Sequence, residues 1–145
     1  MEDDVCKHLI IRAEISNPPA PTSPIRFAEV VVRIWLCSLI NNTSIKSRPD
    51  TVTCTSSEEN GVSCTCVTDR GHIAIHVFDN MLQLDVSTYG KLKPIDVFNK
   101  LYDFKPIVIH WKYLSKTKDL RTTDIGIWHE SSPWPNKAIL NEEVE

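Results

Sequence analysis

No stretch of the 145-residue chain approaches the ~20 consecutive apolar residues that a membrane-spanning helix requires, so a membrane is not an expected partner. Glycine is scarce as well. Gly61, Gly71, Gly90 and Gly126 stand singly, which excludes the glycine-rich turn that cradles phosphates. Positive charge is not in excess: 16 Lys and Arg against 19 Asp and Glu leave a formal net charge of −3. No basic stripe is available to neutralise nucleic-acid phosphates, so nucleic acid is not expected either. The opening MEDDVCKHLI is acidic where a secretory signal is basic, which points to a cytoplasmic protein. Five cysteines are an odd number, and without a secretory signal they are expected as free, mostly buried thiols. Cys54, Cys64 and Cys66 lie near His72 and His76, and thiolate and imidazole are the ligands zinc prefers. No C-x2-C pair is present, and Cys64 and Cys66 share one strand face, as a buried strand would also require, so no metal is expected.

What is present is alternation. KHLIIRAEI, residues 7–15, predicts a first strand. NPPAPTSP at 17–24 places four prolines in eight residues and breaks regular structure. A helix is predicted over about 24–41, with Ser23 as N-cap, Pro24 at the first helical position, and Phe27, Val30, Val31, Ile34 and Cys37 at helical spacing. Segments 45–55 and 61–68 predict a hairpin across SSEENG, and 72–78 with 82–88 a second one. Pairing of the second hairpin puts Ile73, Ile75 and Val77 with Leu82, Leu84 and Val86 on one face. His72, His76, Gln83, Asp85 and Ser87 then gather on the other.

A second helix is predicted over 94–104, starting at Pro94, with Ile95, Phe98, Leu101 and Tyr102 at helical spacing; IVIHWKYL then forms a last strand. Residues 116–145 lack periodicity and are expected as an ordered strap that frays. The order β-α-β-β-β-β-α-β predicts an α+β fold. It is a two-layer sandwich with one mainly antiparallel sheet, two helices on one face, and a polar face left for a ligand or another subunit. One domain over 1–145, with a core at about 6–115, is expected.

VTDRGHIAIHVFD, residues 67–79, carries the most chemistry. His72 and His76 are about 13 Å apart on a strand that rises ~3.3 Å per residue, so they cannot share one metal. As a general acid or base each needs a partner, and Asp85 and His110 are the candidates by face. Ser63 is a possible nucleophile, although no G-x-S-x-G context accompanies it.

GVSCTCVTDRGHIAIH at 61–76, followed by QLDVSTYG at 83–90, resembles the core of prokaryotic-type S-adenosylmethionine decarboxylases. KHLII matches that family's opening strand, DIGIWHESSP is similar to the tail of some members, and the likeness spans most of 6–115. The resemblance implies a decarboxylase-like sandwich and a role in polyamine (spermidine) biosynthesis. Family members cut their own chain before a serine, which becomes a pyruvoyl group. Its carbonyl binds the substrate amine and draws electrons as CO2 leaves. By the same likeness Ser63 and His76 correspond to processing residues, and Asp85 and Gly90 keep a D-x-x-x-x-G frame. Phe78 would stack on adenine and Asp79 or Asn80 would meet the ribose, with His72 also at the substrate.

Two positions depart from the family pattern. Gly71 stands where the pyruvoyl-forming serine belongs, preceded by Arg70, and Tyr89 stands where the proton-donating cysteine belongs. Glycine has no hydroxyl to start the acyl shift, so no pyruvate cofactor is expected. The expectation is an intact chain, a pseudoenzyme that binds S-adenosylmethionine or a related nucleoside or amine. It would act as a homo-oligomer or as a regulatory partner of an active paralogue. The alternative is a lyase that acts on S-adenosylmethionine without pyruvoyl, using His72, His76, Asp85 and Tyr89, because a sulfonium is an intrinsically good leaving group.

Overall fold

The computed structural model describes residues 6–18, 25–43, 45–115 and 122–135. In chain order the elements are β1 (Lys7–Ile15), α1 (Ile25–Asn41), β2 (Ser47–Ser57), β3 (Gly61–Thr68), β4 (Gly71–Phe78), β5 (Met81–Thr88), α2 (Pro94–Leu101), β6 (Pro106–Ser115) and β7 (Thr122–His129). A short 3-10 turn, Tyr102–Phe104, follows α2. The strands form one seven-stranded antiparallel sheet in the order β2-β3-β4-β5-β1-β6-β7. Both helices pack on one face of it, and the architecture is the α+β two-layer sandwich that the alternation predicts.

Strand alternation decides which face is covered. Leu9, Ile11 and Ala13 of β1, Ile73, Ile75 and Val77 of β4, and Leu82, Leu84 and Val86 of β5 are all buried on the helix side. Phe98 of α2 meets Trp111 of β6 edge to face at 5.1 Å, and Trp35 of α1 meets Phe104 at 5.2 Å. The Trp35 indole N–H also donates to the Lys100 carbonyl at 3.1 Å, so its polar edge is satisfied inside the core. No helix among the described residues is long and apolar enough to cross a membrane.

Three expectations are corrected. In α1 the buried stripe is Ala28, Val32, Trp35, Leu36, Leu39 and Ile40, while Phe27, Val30 and Ile34 face outward. The helix is apolar nearly all round, so helical spacing fits more than one stripe, and the one carrying Trp35 and Leu36 buries the larger area. The N-cap at Ser23 and Pro24 lies outside the described residues.

Cys54 and Cys64 are not free thiols. They stand directly opposite in the β2–β3 register and form a disulfide, leaving Cys6, Cys37 and Cys66 free. The odd cysteine count does not preclude one pair when strand register sets two side chains face to face.

Finally, part of the expected strap is a strand. β7 pairs with β6 and alternates Asp124, Gly126 and Trp128 inward with Ile125 and Ile127 outward. Gly126 is required there because the Trp111 ring lies over it and a side chain would overlap that ring. Trp128 is held in turn by Trp134, with ring centroids 5.0 Å apart.

Candidate functional site

The face of the sheet opposite the helices is uncovered among the described residues, and register arranges its side chains in rows. One row crosses five strands as Ser63, His76, Gln83, Arg12 and His110. The next holds Thr65, Ala74, Asp85, Ile10 and Lys112, and a third holds Val67, His72, Ser87, His8 and Leu114. Rows lie roughly 7 Å apart and neighbouring strands about 4.8 Å apart, so the face is a shallow grid of polar groups around Ala74 and Ile10.

Two contacts organise the grid. Ser63 Oγ and His76 Nδ1 are 2.8 Å apart, a hydrogen bond between residues directly opposite on β3 and β4. In the tautomer with the proton on Nδ1, that N–H donates to Ser63 Oγ and Nε2 is left as the free acceptor of an exposed residue. Asp85 takes His8 as its partner, Nε2 to Oδ1 at 3.2 Å, from β1 across to β5. The expected pairing of Asp85 or His110 with His72 or His76 is therefore corrected. Asp85 is turned to His8, and His110 lies three strands from His76 in the same row. His72 is exposed on the same face.

At one end of β4 and β5, Phe78 is 47% exposed, and Asp79 turns the chain in a left-handed conformation at φ 55°. Asn80 faces Glu14, Nδ2 to Oε2 at 3.5 Å, and its carbonyl accepts from the Ile15 N–H at 2.8 Å. Phe78, Asp79 and Asn80 thus border the Ser63–His76 pair. Gly71 and Tyr89 do not. Tyr89 follows β5 at its other end, six residues along the chain from Gln83, which is roughly 20 Å of strand. Its ring lies under the Arg70 guanidinium, 4.7 Å from the centroid. The Tyr89 N–H donates to the Asp69 carbonyl at 3.0 Å.

Gly71 alternates with His72, so a side chain at 71 would project to the helix-covered face and not toward His76. No such side chain fits. A Cβ would overlap the Ser87 carbonyl, and Thr68 Oγ1 closes the remaining side at 2.9 Å. That carbonyl is held in place, because Thr68 O–H donates to it at 2.5 Å.

Sequence reasoning left the face of His8 open and passed over Arg12. Both follow from the alternation of β1 once its pairing with β5 and β6 is known. No group of three or more His, Cys, Asp or Glu among the described residues is arranged to hold a metal ion.

No known protein family matches the sequence. None of the curated proteins matches it either. Among solved structures, a phage SAM lyase in complex with S-methyl-5'-thioadenosine is similar at 12% sequence identity, over 90% of this chain and 93% of that one, with a TM-score of 0.39.

Proposed function

We propose that the uncovered sheet face binds S-adenosylmethionine, and that the protein does so as an intact chain without a pyruvoyl group. The observation that carries this reading is the Ser63–His76 hydrogen bond at 2.8 Å. The two residues that the family resemblance pairs in processing meet on an exposed face although 13 residues separate them. Asp85 offers a carboxylate to a sulfonium or amine, and the exposed Phe78 ring offers a flat surface to adenine. Asp79 and Asn80 stand beside that ring for the ribose hydroxyls. The packing around Gly71 supports an uncut chain, since it leaves no room for the serine that self-cleavage needs. In cells such a chain would sit in polyamine metabolism as a homo-oligomer or beside an active, pyruvoyl-bearing paralogue, with α1 supplying the contact through Phe27, Val30 and Ile34.

A second reading follows from the same pair. With His76 Nδ1–H donating to Ser63 Oγ, the unprotonated Nε2 accepts a proton from the methionyl carbon adjacent to the C–S bond. That bond would break with its electron pair kept by sulfur as a C=C bond forms, releasing a neutral thioether nucleoside and retaining CO2.

The deciding experiment incubates the protein with S-adenosylmethionine labelled at the carboxyl carbon, with calorimetry of binding and intact mass in parallel. Saturable binding, an unchanged chain mass and no labelled CO2 are expected. Thioether release without CO2 establishes the lyase reading, and loss of that release in His76→Ala assigns the base. Absence of binding overturns both.

A further inference from the structure

The uncovered face has a second feature beside the Ser63–His76 and Asp85–His8 pairs. Where β1, β6 and β7 run side by side, a trough of about 820 Å³ opens on the sheet. Its apolar walls are Ile10 on one side and Ile125 and Ile127 on the other, with the two β7 side chains 65% and 57% exposed. Along the β1–β6 seam between them stand Arg12, His110 and Lys112. Register sets Arg12 opposite His110, and Ile10 opposite Lys112, so the two cations lie on a diagonal between isoleucines.

Among the described residues the charges of this trough are unbalanced, and no acidic one lines it. Neither Arg12 nor Lys112 has a carboxylate within salt-bridge distance among the described residues. Two described carboxylates on the same face are turned elsewhere, Asp85 to His8 and Glu14 to Asn80. A guanidinium fork and an ammonium left open beside exposed isoleucines complement a ligand with one anionic head and an apolar body. The trough spans three strands, roughly 10 Å at the strand spacing, which suits a medium-length hydrocarbon rather than a single ring.

We propose that this trough binds a medium-chain organic carboxylate. Arg12 receives both carboxylate oxygens, Lys112 adds a second positive charge, and the hydrocarbon lies against Ile125 and Ile127. The assignment is independent of the nucleoside reading, because the ligand touches neither Ser63 nor His76.

The test is a calorimetric titration of the full chain with decanoate, decyl phosphate, decanol and decylamine, each below its aggregation threshold. Decanoate is expected to bind saturably with one site per chain, and decanol and decylamine at least about tenfold more weakly, the weight of a charge-assisted hydrogen bond. Arg12→Gln and Lys112→Gln should each weaken decanoate by about tenfold with an unchanged melting temperature, since both side chains are exposed. Ile127→Ser should weaken all four chains alike. Equal binding of decanoate and decylamine, or indifference to both glutamine variants, overturns the proposal. Tighter binding of decyl phosphate overturns the carboxylate head. No binding to the folded protein overturns the site, including the case in which light scattering shows a second copy covering the trough.

Discussion

Cys66 lies on the helix-covered side of β3 at 2% exposure, opposite Ile73 of β4. Burial pushes its thiol from 9.0 up to about 11, a backbone hydrogen bond with Ile73 lowers it in part, and the neighbouring Cys37 raises it. Because the folded state holds this proton more tightly than the unfolded chain, the stabilisation is complete below pH 9 and is lost as pH rises toward about 11. A shift of that size corresponds to roughly 2–3 kcal/mol, so urea midpoints measured from pH 8 to 11 should fall, and Cys66→Ala should flatten that fall. Native Cys66 should also resist alkylation at pH 8, where Cys6 and Cys37 are less buried and react first. Gly71 gives the second test at this scale. Placing a serine there would not confer self-cleavage, because its Cβ overlaps the Ser87 carbonyl. Gly71→Ser should destabilise the fold by about 1–3 kcal/mol, as overpacked sites do, while intact mass shows an uncut chain.

At the scale of elements, the β2–β3 hairpin depends on a covalent bond as well as its ladder. Cys54 and Cys64 are separated by 10 residues, and closing a loop of that length removes unfolded-state entropy worth roughly 2.7 kcal/mol. Cys54→Ser with Cys64→Ser, or reduction of the unaltered chain, should lower the melting temperature by that equivalent and leave Cys66 titration in place. β4 and β5 were legible in the sequence because Ile73, Ile75 and Val77 alternate with His72 and His76, and Leu82, Leu84 and Val86 with Gln83 and Asp85, so faces and partners could be assigned from residue type. α1 was legible in extent but not in orientation, since a helix apolar on most sides carries no unique stripe. β7 was missed because its outward positions are isoleucines, so it shows no polar–apolar alternation, and its inward positions include Asp124 and Gly126. The contacts of the polar face were less legible. The partners expected for His76 were Asp85 and His110, whereas Ser63 meets it through the β3–β4 register, and His8–Asp85 spans 77 residues and exists only once β1 inserts between β5 and β6.

For the molecule as a whole, the sheet turns its polar face one way and α1 turns an apolar stripe the other. Phe27, Val30 and Ile34 are 54%, 49% and 62% exposed, and their spacing aligns them on one side of the helix. Arg33 and Glu29 border the stripe and hold each other at 3.8 Å, as rim charges around an apolar centre do. Fully burying such side chains contributes about 1.5–3 kcal/mol each, which is enough to oppose the entropy of association when several act together. The expected outcome is that light scattering gives a mass above one chain at micromolar concentration, and that Ile34→Asp returns it to a single chain. Because α1 lies behind the sheet, the same variant should leave unchanged the S-adenosylmethionine binding proposed for the Ser63–His76 face. A single-chain mass for the unaltered protein at every concentration would instead show that this stripe stays in water. Loss of nucleoside binding together with the oligomer would mean that a neighbouring copy completes the site.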